Sequence, residues 1–180
     1  MRWLIRTGAC LGLTLFVTLR LFGQADESQP TNRHVREGYW ISIGMGMGSA
    51  DCNECGARYR GLTGGLSMGG TINQHWLVGG STFGWEQVGD ASGPYPSGLL
   101  VQARFYPSAT GGFWVTGGAG LGISTVGFTN EVGWVLQGGL GYDVRVSHKV
   151  SLAPYVDVFT LSTGPISGNV VRAGIAVTVH

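Results

Sequence analysis

Charge is scarce in this chain. Only 12% of the 180 residues are Asp, Glu, Lys or Arg, the formal net charge is +1, and Lys149 is the single lysine. A nucleic-acid partner is excluded on that ground, because it requires a basic stripe. Long apolar runs are missing too. The longest, residues 8–19, is twelve residues, against the roughly 20 that a membrane-spanning helix needs. Three cysteines are too few for a disulfide framework. The 33 glycines follow no Gly-X-Y period, so collagen is excluded. Aromatic and aliphatic residues are regularly placed, which excludes a disordered chain.

What is present is a repeat. Across residues 38–180, about ten residues of alternating apolar and small or polar character are followed by a short Gly/Pro/Asn/Ser break, eight times over. The segments are 38–48, 61–72, 76–88, 98–106, 112–124, 131–144, 149–161 and 168–180. Tyr39, Ile41, Ile43, Met45 and Met47 alternate with Ser42, Gly44, Gly46 and Gly48. In 112–124, Phe113, Val115, Ala119, Leu121 and Ile123 alternate with Trp114, Thr116, Gly118, Gly120 and Gly122. The third segment is less clean; Leu77, Phe83 and Trp85 mark its apolar face. Period-two alternation over such lengths is the pattern of strands with one face in lipid and the other in an enclosed lumen. Segments of 9 to 14 residues match the roughly 9–11 needed to cross a bilayer at a tilt.

The predicted fold class is therefore all-β: an eight-stranded antiparallel up-and-down transmembrane β-barrel. Closure is required, because an open edge has no water to bond in the hydrocarbon layer. Breaks at 73–75, 107–111 and 145–148 are tight, whereas 49–60, 89–97, 125–130 and 162–167 are longer on average, the expected asymmetry between periplasmic turns and external loops. Tyr39, Trp40, Trp76, Trp85, Tyr106, Phe113, Trp134 and Tyr142 lie near strand ends, as interfacial girdles would.

Residues 1–25 read as a signal peptide: Arg2 and Arg6, an apolar stretch over 8–19, then Gly23-Gln24-Ala25 at the cleavage region. Residues 26–37, DESQPTNRHVRE, read as a mobile periplasmic linker, and 38–180 as the barrel.

The stretch 138–158, GGLGYDVRVSHKVSLAPYVDV, resembles the penultimate hairpin of the small bacterial outer-membrane β-barrels, the OmpA/OmpX-like proteins, and 38–180 resembles them in architecture. The resemblance implies residence in the bacterial outer membrane, insertion by the barrel-assembly machinery and contact with outer-membrane lipid. Barrels of this family usually end in Phe; this chain ends in His180.

An eight-stranded barrel leaves an interior that side chains fill. A turn pairing Val144 with Val150 places Gln137 opposite Asp157 and Gly139 opposite Tyr155. The last hairpin places Asp157 opposite Arg172 and Tyr155 opposite Gly174. Gln137, Asp157 and Arg172 are thus expected to form one polar row, and Arg104 to lie against Trp114 as a cation–π pair. Such inward charges serve either as paired filling of a plugged barrel or as an ion path or catalytic cluster; pairing is the cheaper state in an enclosed site.

Cys52 and Cys55 lie in the first external loop. A zinc site wants four ligands, and no second pair or nearby His supplies them, so a small loop disulfide or free thiols remain. The four histidines (34, 75, 148 and 180) are scattered, and Ser147-His148 has no positioned acid for a triad. The G-x-G runs at 44–48 and 118–122 sit inside strands with no following helix, which voids a nucleotide loop. The expectation is a monomeric, non-enzymatic envelope protein without cofactor or metal, in a structural role or presenting the loop around Asp51–Arg60. A narrow pore and a lipid-modifying enzyme are the alternatives.

Overall fold

A computed structural model of the chain describes residues 36–52, 57–89, 95–126, 129–163 and 166–180. The expected signal peptide, most of the expected linker (26–35) and Cys55 lie outside them. Among the described residues there are nine strands: β1 (Tyr39–Cys52), β2 (Ala57–Thr71), β3 (Trp76–Gln87), β4 (Tyr95–Phe105), β5 (Phe113–Val126), β6 (Thr129–Tyr142), β7 (Val144–Arg145), β8 (Val150–Thr163) and β9 (Ile166–Val179). The two-residue β7 continues β6 past Asp143 and pairs with the same neighbour, β8. The structure is thus eight spans, each antiparallel to the next. β1 pairs with β9, which closes the cylinder and leaves no free edge.

The registers define the stagger of that cylinder. Partner by partner, the ladder runs Leu77–Arg104–Thr116–Gly139–Asp157–Arg172–Gly48–Gly61–Gln87. One circuit returns to β3 ten residues on, since 87 − 77 = 10. This shear of a closed sheet forces the strands to tilt and narrows the interior to side-chain width.

Each strand divides its residues by parity. Ile43 is 58% exposed and Met45 74%, while Trp40 and Ser42 between the outward positions of β1 are buried. The outward residues of β5, β6, β8 and β9 form the same apolar face, including Leu121, Trp134, Leu140, Val156 and Ile175. This belt ends in a polar collar at the far end of the barrel, opposite Tyr39 and Val179. Arg58 bonds Asp51 through Nε and Nη2 at 2.6 and 2.8 Å, the Thr125 hydroxyl donates to Asn130 at 2.7 Å, and that of Thr160 donates to Asn169 at 2.9 Å.

Three expectations need correction. Leu77, Phe83 and Trp85 point inward, 0%, 4% and 3% exposed, instead of toward lipid. Their bulk is accommodated by glycines on adjacent strands: a Cβ at Gly98 would approach Phe83, and one at Gly61 would approach Trp85. Trp40, Trp85 and Tyr106 are likewise buried in the lumen, so the outer girdle is left to Tyr39, Trp76, Phe113, Trp134 and Tyr142. Finally, the strands run well into the segments expected as external loops. Asp51 and Arg58–Arg60 belong to the β1–β2 ladder. The pairing of β5 with β6 and of β8 with β9 likewise reaches Val126–Thr129 and Thr163–Ile166, whereas β3 and β4 part beyond Gly84–Ser97.

Candidate functional site

The lumen is filled in three layers. At the far end, Phe83, Trp85, Leu100, Val135, Phe159, Leu161, Val170 and Ala50 pack together. The Phe83 and Phe159 rings stack at 4.1 Å between centroids. At the near end, Trp40, Leu77, Tyr106, Trp114, Ala153, Tyr155 and Ala176 form a second apolar layer. Between the two lies a polar band.

Asp157 and Arg172 face each other in that band. Arg172 donates from Nε and Nη2 to Asp157 Oδ2 at 3.1 and 2.8 Å. Both side chains are buried. The Arg172 guanidinium also lies over the rings of Tyr155 and Phe159, at 5.1 and 4.7 Å. Arg104, 5% exposed, lies 4.1 Å over the Trp114 ring and 5.3 Å from that of Trp40. Cation–π contacts of this kind gain strength when desolvated.

Gln137 does not join Asp157. The register of β6 against β8 is displaced by two residues from the one the sequence suggests, with Val144 opposite Leu152, Gly139 opposite Asp157 and Gly141 opposite Tyr155. The cause is the turn: the Val146 and Ser147 amides both bond the Val150 carbonyl, at 2.9 and 3.0 Å, which centres the turn one residue later. A shift of two preserves every facing, so Gln137 still points inward. It lies one row toward the far end, opposite Phe159 and across Gly118 from Gln102. The partner of Asp157 on β6 is Gly139, where a Cβ would collide with the carboxylate.

A small cavity sits in the band, about 30 Å³. Gln102, Arg104, Gln137, Tyr155, Asp157 and Arg172 are among its lining residues.

A second network plugs the near end, and the sequence did not disclose it. Asp143, 1% exposed, accepts from the Tyr106 hydroxyl at 2.8 Å and from Trp114 Nε1 at 2.9 Å. Burial pushes the Tyr106 phenol up to about 12, so it stays a neutral donor. Arg36, expected in a mobile linker, is buried instead. Its guanidinium lies 3.5 Å over the Tyr106 ring and donates to the carbonyls of Gln74, Ala109 and Gly111. Gln74 also exchanges two bonds with the Arg36 backbone, both 3.0 Å. His180 closes the group, with Nε2 at 4.0 Å from Asp143 Oδ2. Burial pushes its pKa down to about 4, with Arg104, Arg36 and Arg145 adding to the effect and Asp143 opposing it. The inward parity of Asp143 was legible; its partners come from turns distant in sequence.

Cys52 ends β1, and the Cys52–Cys55 pairing lies outside the described residues. Among the described residues there is no grouping of three His, Cys, Asp or Glu side chains fit to hold a metal.

No protein-family model matches the chain, and no curated protein matches it. Solved structures do. Neisserial surface protein A shares 13% identity at a TM-score of 0.61, over 81% of this chain and 99% of that one. Ail, the attachment invasion locus protein of Yersinia pestis, shares 14% at 0.54, over 79% and 99%. The N-terminal β-barrel domain of Pseudomonas aeruginosa OprF shares 9% at 0.50, over 79% and 98%. At such identities the likeness is one of fold. The chain has the fold of the small, OmpA/OmpX-like outer-membrane β-barrels, and its exposed apolar belt is the wall of a barrel set in lipid.

Proposed function

We propose that this outer-membrane barrel is a closed, non-enzymatic envelope protein, acting as a structural element or through its far-end rim as a surface-interaction module. One observation carries the reading: the Phe83–Phe159 stack and the Asp143–Tyr106–Arg36 plug stand on either side of the polar band. With both ends filled, the rim is the surface left for partners. The rim is a set of paired strands tied by the Asp51–Arg58, Thr125–Asn130 and Thr160–Asn169 contacts, and ordered polar groups of this kind present a fixed surface at little entropic cost on binding. The barrel works as a monomer in contact with outer-membrane lipid and is inserted by the assembly machinery.

Ail has been solved in complex with the heparin analogue sucrose octasulfate. That ligand class fits this rim poorly. Arg58 is paired with Asp51, and the described rim also carries Arg60, Glu86 and Glu131, so it has no cationic excess to hold a polyanion.

Purified barrel in planar bilayers should give no discrete current steps, and cells expressing it should keep an unaltered lipid A mass spectrum. Regular steps would favour a narrow pore, and a changed acylation pattern a lipid-modifying enzyme; either defeats the proposal.

A further inference from the structure

We propose that the central cavity of the lumen binds one small monovalent anion of halide size, held between Arg104 and Arg172. The argument begins with charge. Among the described residues, three arginines (36, 104 and 172) but only two carboxylates (143 and 157) are buried. Arginine does not lose its proton in a protein. Asp157 is committed to Arg172 through Oδ2. Asp143 has both oxygens engaged, by Tyr106 and Trp114, and Arg36 and His180 stand near it. Arg104 makes no ion pair with a carboxylate among the described residues; it lies against the faces of Trp114 and Trp40 and bonds the Tyr106 side chain. An enclosed cation without a counter-charge is costly.

The cavity supplies what that charge lacks. It holds about 30 Å³, and a water-sized guest needs roughly 10–15 Å³ of such space. Its walls carry a surplus of donors. Arg104 Nε and Nη1, Arg172 Nη1, Gln102 Nε2 and the Tyr155 hydroxyl have no bonding partner, against two free acceptors, Asp157 Oδ1 and Gln137 Oε1. All six of these residues line the cavity. Buried polar atoms are almost always satisfied, so donors that converge on one space and outnumber acceptors point to an acceptor in it. Water can take some of them, but it cannot offset the charge. Glycines keep the space open: a Cβ at Gly65 would stand 3.2 Å from Arg172 Nη1, and one at Gly118 would stand 3.2 Å from Gln137 Oε1. The space suits a halide and is too small for a phosphate.

The test uses the purified barrel in nonionic detergent micelles. Urea unfolding is followed by tryptophan fluorescence while chloride replaces isethionate, an anion too large for the cavity, at constant ionic strength. The midpoint should rise with chloride and saturate, as linkage requires for a ligand of the folded state. Arg104→Met should abolish the rise, whereas Arg58→Gln, a rim arginine, should retain it. If Arg104→Met does not fold, Gln102→Leu removes a donor without touching charge and should weaken the chloride response about tenfold. Bromide-soaked crystals should show one anomalous peak in the cavity. A flat response in the natural protein, an unchanged response in the lumen variant, or density for water alone in the cavity would overturn the proposal.

Discussion

Asp157 and Arg172 meet across the last hairpin with one carboxylate oxygen taking both guanidinium bonds, at 3.1 and 2.8 Å. Asp157→Ala leaves Arg172 enclosed without its partner, and about 3 kcal/mol of stability should be lost. Arg172→Met should cost a similar amount, and the double variant less than the sum. Urea titrations of all four proteins check this; additive losses would show that the pair is not coupled.

The lipid-facing wall gives a second prediction. Leu140, half exposed on the belt, replaced by Arg should cost roughly 2–4 kcal/mol. The same replacement at Thr160, on the polar collar, should cost about 1 kcal/mol or less. Folding yield into vesicles measures both, and equal yields would contradict the assigned facing.

Glycine spacing gives a third. A Cβ at Gly141 would collide with Trp114 Cζ2, so Gly141→Val must push Trp114 off Asp143. Overpacking of that order costs about 1–3 kcal/mol. Gly138, on the outer face with nothing within 4 Å, should accept Val without loss. Unfolding midpoints of the two variants should therefore separate.

His180 supplies a pH dependence. Its pKa is about 4 in the folded barrel against an ordinary 6.5. The unfolded chain thus takes up the proton first, and stability present above pH 6.5 falls as the pH drops toward 4. His180→Phe should flatten that window. Midpoints compared at pH 7.5 and 5 test it; an equal slope in the variant would remove His180 as the source.

Much of this was readable in the chain because parity is a local property. Ile41 to Met47, Trp114 to Gly122 and Val171 to Val179 each announce their two faces, and the Asp157–Arg172 partnership follows from a short hairpin. What escaped depends on groups distant in sequence. Phe83 and Trp85 look like lipid-facing residues until Gly98 and Gly61 on neighbouring strands are seen to leave them room inside. The β6–β8 register turned on how the Val150 carbonyl closes its turn, which no periodicity encodes. Arg36 reads as one more charge in a polar stretch, and only the folded near end brings Gln74, Ala109 and Gly111 around it.

The account depends on a closed cylinder whose bulky outer wall is solvated by hydrocarbon. Electrophoresis of detergent-extracted protein, with and without boiling, measures this directly. The unboiled sample should run as a faster, compact band that shifts upward on heating. A single mobility in both lanes, or a compact monomer that stays dissolved once detergent is removed, would contradict it.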